Sequence, residues 1–384
     1  MAGVVKRVII IGGGIGGLCT AIGLHRNGID VVVYEQAEVL SQVGAGLTIW
    51  PNAIKTLRKL GLADSVIGTG SKIERGQIRT ADGRTLSRSE PGELERLFGE
   101  PTVAIHRADL HDILLSALPA GNVRLGAKCA NFEQEADGVT VRFAGGHTDR
   151  ADLVVGADGI HSAIRRQLFP EVRLRYSGYT AWRGIVATRD EVALGVTSES
   201  WGCGSRFGIL RVDKERVYWF ATANAPAGQT LTAHERKSFL RQRFQGWHHP
   251  VEMLLESTPA EEILHNDIYD LKPSRHWGKG RVVLLGDAAH PTTPNMGQGA
   301  CMAIESSLVL ARCLSHEDDL AGAVGRYETE RMPRTAWITE QSWKIGRIGQ
   351  MENPLGCRVR DFLLSMAPAK VTRKTLERAA GYEL

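Results

Sequence analysis

The chain has 384 residues, of which 43% are hydrophobic and 23% are charged, and its formal net charge at pH 7 is +4. A chain of this length can bury a large core in one to three domains, and its well-mixed charges argue against a nucleic-acid-binding protein. Six scattered cysteines without a C-x-x-C pair argue against a disulfide framework or a metal site, and no run of 18 apolar residues predicts a membrane span, so we expect a cytoplasmic α/β enzyme.

A strand, a glycine-rich turn and a helix begin the chain. The apolar run Val8–Ile11 predicts a buried strand, and 18–25 predicts a helix. Between them, Gly12–Gly17 fits G-x-G-x-x-G, whose glycines allow a tight turn, close approach of the backbone to a pyrophosphate, and helix–strand packing. A second apolar strand, 30–33, leads to Glu35, where an acid can accept a ribose hydroxyl. The pattern predicts a bound adenine dinucleotide and leaves open whether it is FAD or NAD.

A loop, a helix and a hairpin follow this first unit. The glycines of 41–46 indicate a loop, and Asn52 is expected to cap a helix over 53–60. An Asp-Gly turn predicts a hairpin over 73–87. The charged segment 88–101 carries Pro and Gly and indicates a surface excursion.

The middle of the chain returns to alternating helix and strand. A helix is predicted to begin at Ala104 and to run to about Leu118. Short strands are then expected over 122–125, 128–135, 139–143 and 152–156. The last of these leads to Asp158-Gly159, and a short helix is expected over 160–168.

A β-rich region comes next. The runs 179–187, 206–210 and 216–220 are typical of successive strands of an antiparallel sheet, which often forms one wall of a substrate cavity. A helix over 233–244 and a strand over 263–271 complete the region.

The last third returns to a buried strand, 281–285, followed by Gly286-Asp287 and a Pro-rich loop. A helix is predicted over 298–313, with two or three more helices after it. The predicted fold is α/β with an α+β insert: a Rossmann-type nucleotide-binding domain made of discontinuous segments, a β-sheet substrate domain and C-terminal helices. The predicted boundaries assign 1–72, 102–174 and 273–384 (with the C-terminal helices) to the nucleotide-binding part, and 73–101 and 175–272 to the substrate domain.

Three motifs that are far apart in the chain are expected to lie together in the fold. Gly12–Gly17, Asp158-Gly159 and Gly286-Asp287 each follow an apolar strand, so each is expected at the carboxyl edge of the sheet, where α/β sheets bind ligands. Their order and spacing resemble the class A FAD-dependent aromatic hydroxylases, which share the p-hydroxybenzoate hydroxylase fold. The resemblance covers nearly the whole chain and implies that the dinucleotide is FAD, bound tightly but not covalently.

The resemblance also implies individual roles. Glu35 would hold the adenosine ribose, Arg107 would contact the ribityl and phosphate region, and Asp287 would bond the ribityl chain. The helix after Gln298 would point its N-terminus at flavin N1 and O2, where it stabilises the negative charge of reduced flavin. The implied cofactor-binding residues are Gly12, Gly14, Ile15, Gly16, Gly17, Glu35, Gln36, Gly46, Arg107, Asp158, Gly159, Asp287, Pro294, Gly297, Gln298 and Gly299.

One position departs from the commoner family pattern. Cys301 stands where most members carry Asn, which resembles the branch with FAD-dependent urate hydroxylase and zeaxanthin epoxidase. In that urate hydroxylase an Arg and a Tyr twelve residues later contact the substrate, and Arg206 and Tyr218 have this spacing. The predicted catalytic residues are Arg206, Tyr218 and His290, and the predicted substrate contacts are Trp182, Arg206, Tyr218 and Pro294.

Each of these residues also has a purely structural interpretation. Arg206 can anchor an anionic or carbonyl-bearing substrate or pack within the sheet, and Tyr218 can orient or deprotonate a substrate hydroxyl or only pack. His290 can serve only backbone groups, Arg107 can be a surface ion-pair partner, and Trp182 can belong to the core. Cys301 is expected to be small and buried.

The resemblance implies an NAD(P)H- and O₂-dependent monooxygenase. It would hydroxylate an aromatic or heteroaromatic small molecule through a flavin C4a-hydroperoxide, without a metal, as a monomer or homodimer. The alternatives are an epoxidase or antibiotic-modifying monooxygenase of the same branch, a flavin dehydrogenase, and a non-catalytic FAD-binding protein. A halogenase is disfavoured because the chain lacks Trp-x-Trp-x-Ile.

Overall fold

A mainly parallel sheet and a large antiparallel sheet organise the protein. The computed structural model describes residues 5–39, 45–187, 191–367 and 369–383. Its strands are β1 (Arg7–Ile11), β2 (Asp30–Tyr34), β3 (Gly46–Ile49), β4 (Ser71–Lys72), β5 (Arg75–Thr80), β6 (Thr85–Ser89), β7 (Val103–His106), β8 (Val123–Arg124), β9 (Cys129–Gln134), β10 (Val139–Phe143), β11 (Thr148–Ala151), β12 (Leu153–Gly156), β13 (Arg175–Ala187), β14 (Val196–Trp201), β15 (Ser205–Arg211), β16 (Arg216–Asn224), β17 (Leu264–Asp270), β18 (Gly278–Lys279) and β19 (Val282–Leu284).

Helices cover both sheets and form the C-terminal part. They are α1 (Ile15–Arg26), α2 (Pro51–Lys59), α3 (Ala63–Thr69), α4 (Pro91–Phe98), α5 (Arg107–Ser116), α6 (Ala163–Leu168), α7 (Ala233–Arg243), α8 (Val251–Ser257), α9 (Gly299–His316), α10 (Leu320–Gly349), α11 (Pro354–Met366) and α12 (Ala369–Ala380). None of the described helices has both the length and the apolar character that a bilayer crossing requires.

The first sheet has the strand order β18-β19-β12-β1-β2-β8. All neighbours in it are parallel except the pair β18 and β19. Strands β1, β12 and β19 contain almost only buried β-branched and leucine residues, as a sheet covered on both faces requires. Helices α1 and α9 pack on this sheet, so the first and last thirds of the chain share one core.

The second sheet has the order β17-β13-β16-β15-β14-β5-β6. Its neighbours are antiparallel except β14 and β5, which run parallel. One face packs on α7 and α8 around large aromatic side chains. The hairpin β5–β6 thus extends the sheet that β13–β17 build, although the domain boundaries themselves stay predictions.

The predicted fold class is confirmed, with local corrections. Asn52 does not cap α2, because the helix already begins at Pro51 and Asn52 is buried within its first turn. The predicted helix from 104 is wrong for its first three residues: β7 (Val103–His106) pairs with β3 and β4, and α5 begins only at Arg107. The segment 88–101 is not only an excursion, because it contains α4. Residues 41–44 of the predicted loop lie outside the described residues.

Candidate active site

The glycine turn after β1 leaves no space for side chains at two positions. Gly12 has φ 109°, and a Cβ there would lie 2.3 Å from the carbonyl oxygen of Ala157. A Cβ at Gly17 would lie 2.0 Å from the carbonyl oxygen of Gly12. At Gly14, just before α1, a Cβ would meet nothing within 4 Å, and no side chain caps the helix. The helix N-terminus therefore faces open space, as binding of a pyrophosphate by its N–H groups requires.

Glu35 is tied to this turn. Its Oε2 accepts a hydrogen bond from Gly13 N at 2.8 Å, and its Oε1 accepts one from Ala37 N at 2.9 Å. Each carboxylate oxygen can accept a further donor, so a ribose hydroxyl fits beside these bonds. Gln36, next in the chain, is exposed. The ring of His111, which sequence analysis missed, holds the other side of the turn through Gly13 O at 2.7 Å.

Asp158 starts a helix rather than pointing free oxygens at a ligand. Its carboxylate accepts from the Ser162 hydroxyl and from the backbone N–H of Ala163 at 2.7 Å. Gly159 follows with φ 76°. The turn lies against Gly12, so the structure brings the first two motifs together. This placement favours a positioning role for Asp158 over the direct contact that the resemblance implies.

Asp287 and Arg107 are exposed side chains that interact electrostatically. The Asp287 side chain is exposed, yet the surrounding protein raises its pKa through burial, and Arg107 and Arg165 oppose the rise. Arg165 is buried and donates to the carbonyl oxygen of Ala288 at 2.9 Å. Its part in fixing the Gly286-Asp287 turn was not foreseen.

The loop before α9 packs on β3. Gly297 has φ 63°, and a Cβ there would lie 2.8 Å from Thr48 Oγ1. Gln298 is fully buried at the start of α9; its Oε1 accepts from Asn52 Nδ2 at 3.0 Å, while its Nε2 has no partner among the described residues. This Nε2 is enclosed by protein, as is the Oδ1 of Asn52, which also has no partner in the described part of the chain, so Gln298 fixes the start of α9 through Asn52. Cys301 is buried, as expected, and receives the Trp50 N–H at 3.5 Å.

A buried charged network supports α9 from behind. Glu305 accepts from Asn52 Nδ2 at 2.6 Å, from Arg331 at 2.6 Å and from Arg334 at 2.7 Å. Burial alone would raise the pKa of Glu305, but the two arginines outweigh it and lower that pKa, so the carboxylate stays charged. Sequence analysis missed this network. Its only signal is a glutamate within an otherwise apolar helix.

Arg206 and Tyr218 share one face of the large sheet. Register pairs Arg206 with Thr222 and Leu210 with Tyr218, and residues two apart on a strand point the same way. The two side chains are four residues apart along the sheet, which corresponds to about 13 Å at ~3.3 Å per residue. They mark the two ends of one wall and are not immediate neighbours.

Arg206 connects the sheet to the loop before α9. It is buried, and it donates to Gln350 Oε1 at 2.7 Å, to Asn295 Oδ1 at 2.7 Å and to Glu199 Oε1 at 3.0 Å. Asn295 belongs to the helical turn Pro294–Met296, directly before the loop predicted to hold the flavin. Pro294 is exposed beside it. The structural interpretation of Arg206 thus has direct support, because its guanidinium is enclosed by these partners and by the Tyr179 ring.

Tyr218 lies beside the loop that ends at β3. A Cβ at Gly46 would lie 2.5 Å from its ring. Burial raises the pKa of Tyr218, and Arg183 only partly opposes the rise. The phenol is therefore neutral near pH 7, which favours orienting a substrate over deprotonating it.

The other two predicted side chains lie elsewhere. Trp182 is on the opposite face of the sheet, where it packs on Phe239 and stacks on His265. His290 is buried against Trp277 with its Nε2 3.1 Å from Ser306 Oγ, and burial together with Arg331 lowers its pKa to about 3. Neither placement supports the predicted substrate or catalytic contact, because each side chain is enclosed in packing behind the wall or the loop.

Comparison with known proteins agrees with this geometry. The family model for the FAD binding domain matches residues 6–342, so the chain belongs to this family of flavoproteins. Aurachin C monooxygenase/isomerase of Stigmatella aurantiaca is 45% identical over 359 residues, 94% of each chain. The 2-heptyl-3-hydroxy-4(1H)-quinolone synthase of Pseudomonas aeruginosa is 33% identical over 97% of each chain.

A solved structure extends the likeness to the whole fold. Klebsiella pneumoniae HpxO, complexed with FAD and uric acid, superposes with a TM-score of 0.91 at 30% identity and covers 97% of this chain and 96% of its own. The predicted membership of the FAD-dependent aromatic hydroxylases is confirmed. The chain is an enzyme, a flavoprotein monooxygenase with FAD as its cofactor.

Proposed function

We propose that the protein is an NAD(P)H- and O₂-dependent hydroxylase of a fused N-heteroaromatic substrate of the 4-quinolone type that carries an apolar substituent. One observation carries the proposal. Arg206, at the polar end of the sheet face, holds Asn295 of the loop that leads to Gln298. A substrate on this face would therefore lie beside the residues we propose for the flavin.

The residues present fit FAD. Glu35 has acceptor capacity for the ribose, and the space beside Gly14 at the α1 N-terminus is open for the pyrophosphate. Arg107 and Asp287 are exposed and interact electrostatically, so both are available to the ribityl and phosphate region. Gln298, enclosed at the start of α9, would position the helix N-terminus that we propose for the flavin ring. FAD, once bound, would supply the oxidation-reduction chemistry: it accepts a hydride from NAD(P)H and activates O₂. We retain Asp158 as a positioning residue and leave Trp182 and His290 out of the site.

The sheet face fits a substrate that is polar at one end and apolar at the other. Near Arg206 the face is polar, because the side-chain amides of Asn295 and Gln350 lie there, each bonded to Arg206 and to other protein groups. Near Tyr218 the half-buried Ile185, Phe220 and Leu264 pack against an apolar cluster. Heteroaromatic N–H and C=O groups suit the first end, and an alkyl chain suits the second.

The relatives support the same substrate class. The name of the Pseudomonas relative gives a 4-quinolone with a heptyl chain, and the Klebsiella structure contains uric acid, another fused N-heteroaromatic. In this chain the neutral Tyr218 would hydrogen-bond the substrate, and Arg206 would hold the loop that encloses the reacting ring. Enclosure excludes water, which favours substrate oxidation over unproductive consumption of NAD(P)H.

The test is ligand-stimulated NADH and NADPH oxidation by the FAD-loaded enzyme, with product mass as the second readout. Probes are 2-heptyl-4(1H)-quinolone, 2-methyl-4(1H)-quinolone, urate and 3-amino-4-hydroxybenzoate. We expect the heptyl quinolone to give the highest kcat/KM and a product heavier by one oxygen atom. Stimulation by urate alone would contradict the substrate class, and no stimulation by any aromatic ligand would contradict the proposed reaction.

A further inference from the structure

Helix α11 turns its most apolar face to solvent. Leu355, Val359, Phe362, Leu363 and Met366 are between 51% and 70% exposed. They follow the spacing i, i+4, i+7, i+8 and i+11, so they form one continuous stripe along the helix. We call these five side chains the α11 stripe.

The opposite face fixes the helix to the protein. Cys357 and Arg360 are buried there, and Arg360 donates to the carbonyl oxygens of Gly202 at 3.2 Å and Gly349 at 3.3 Å. The Arg360 guanidinium also lies over the Trp201 ring. Because these contacts set the rotation of α11, the outward direction of the stripe is built into the fold.

Exposed basic side chains lie on α11 and in the last two turns of α10, which precedes it in the chain. Four basic and two acidic residues lie between Lys344 and Met366. Of the basic ones, Lys344, Arg347 and Arg358 are exposed, and none has an ion-pair partner among the described residues. Asp361 is paired with Arg360. An apolar stripe with unpaired cations beside it matches an anionic lipid surface, where acyl chains take the apolar side chains and head groups take the cations.

Size and charge argue against two other roles for the stripe, a dimer contact and a membrane-spanning segment. Five side chains on one helix fall short of the ~800 Å² per partner that a stable dimer buries, and a two-fold contact would bring like charges together. A helix of 13 residues is about 20 Å long at ~1.5 Å per residue, shorter than the ~30 Å core of a bilayer. The stripe can therefore lie in a membrane interface but cannot span it.

We propose that the α11 stripe docks the protein on an anionic membrane surface. The buried face of α11 lies close to the candidate active site, because Arg360 donates to the carbonyl oxygen of Gly349 and a Cβ at Gly349 would lie 2.9 Å from Arg206 Cδ. Docking would thus leave the thickness of α11, about 10 Å, between the polar end of the substrate wall and the bilayer. The inference rests on α11 and its charges and does not depend on the identity of the substrate.

Flotation of the FAD-loaded protein with vesicles tests the proposal. We expect it to float with vesicles of phosphatidylcholine plus phosphatidylglycerol, much less with phosphatidylcholine alone, and less at high salt. The double variant Phe362→Ser/Leu363→Ser should partition at least tenfold more weakly, since each buried large apolar side chain contributes on the order of tenfold. Arg347→Ser and Arg358→Ser should each cost about fivefold on anionic vesicles only.

Leu125→Ser is the matched control, because Leu125 is 42% exposed but follows β8 in the first sheet. All variants should keep the flavin spectrum and melting temperature of the parent, since the altered side chains are exposed. The proposal is overturned if the parent does not float with anionic vesicles, or if the double variant floats as the parent does. It is also overturned if sedimentation shows a dimer that the double variant dissociates.

Discussion

Arg206 shows how one side chain can join a sheet to a loop. Its guanidinium donates to three acceptors on three different segments, so replacing it removes three hydrogen bonds at once. Each acceptor keeps one other donor, from Thr222, Trp201 or Tyr179, but the sheet loses its link to the loop before α9. We expect Arg206→Met to lower the free energy of unfolding by about 3 kcal/mol, the order of magnitude for breaking a largely buried pair. We also expect kcat/KM to fall by about 10²-fold, because a displaced loop misplaces the substrate.

Thermal unfolding and steady-state oxidation of NAD(P)H check both effects. Arg142→Met is the control, since the exposed pair of Arg142 and Glu133 contributes little to stability. An Arg206→Met enzyme with the parent's activity and melting temperature would show that the loop does not need this contact.

The raised pKa of Tyr218 separates two possible roles. A base would need the phenolate, which burial disfavours, whereas an orienting group acts as the neutral phenol. We expect Tyr218→Phe to lower kcat/KM by about tenfold, because one hydrogen bond to the substrate is lost. The shape of the pH–rate profile should not change. Loss of a basic ionisation from the profile in Tyr218→Phe would instead identify Tyr218 as the base.

His290 predicts a specific acid sensitivity of the fold. Its pKa is about 3 in the folded protein and about 6.5 when unfolded, so the unfolded chain binds the extra proton as pH falls below 6.5. The stabilisation is present above pH 6.5 and is lost towards pH 3, by about 2 kcal/mol between pH 7 and pH 5. Denaturant unfolding at these two pH values measures the loss of stability, and the loss should be smaller in His290→Gln than in the parent. An equal loss in both proteins would mean that His290 is protonated in the folded state.

At the scale of elements, two glycines of the turn after β1 allow the effect on packing and the effect on cofactor binding to be measured separately. Gly12→Ala forces a Cβ towards Ala157 at a positive φ, so we expect it to destabilise the FAD-free protein. Gly14→Ala adds a Cβ in open space at φ −73°, so the FAD-free protein should keep its stability. If the pyrophosphate occupies that space, Gly14→Ala should weaken FAD binding by tenfold or more, since the added methyl displaces the phosphate from the N–H groups.

Circular dichroism of FAD-free protein and flavin fluorescence titration measure the two quantities. Gly28→Ala is the control for the cost of a positive φ alone, because Gly28 also has a positive φ (76°) but a Cβ there would meet nothing within 4 Å. FAD affinity unchanged in Gly14→Ala would place the pyrophosphate elsewhere.

Local patterns predicted most elements well, and the exceptions have a common cause. β1, β2 and α1 follow from an apolar run, a glycine turn and a second apolar run, which act within about thirty residues. β7 was missed because Val103–His106 is a strand only by pairing with β3 and β4, and no local pattern records distant pairing. Asn52 looks like a helix cap from its neighbours, but its partners are Gln298 and Glu305, far along the chain.

At the scale of the whole molecule, the sequence predicts that the distant motifs lie together, but it does not predict which residues contact and support them. Gly12, Asp158 and Asp287 each follow an apolar strand, and the carboxyl ends of parallel strands meet at one edge of a sheet. The buried Glu305 network and the enclosure of Trp182 and His290 depend on which faces of distant helices and strands meet. Such contacts join residues of ordinary type, and a sequence pattern gives no distance between them.

FAD should couple these distant segments. If the cofactor contacts both the Gly12–Gly17 turn and the loop 286–299, binding should slow amide exchange in both at once. At FAD concentrations of about 100 Kd, the protein should gain about 2.7 kcal/mol of stability. Helices α7 and α8 pack on the far face of the large sheet, so their exchange should change little. Hydrogen exchange with and without FAD, read by mass spectrometry, makes the comparison. Protection confined to 12–17 would mean that the last third of the chain does not contact the cofactor, which would remove Asp287 and Gln298 from the proposed site.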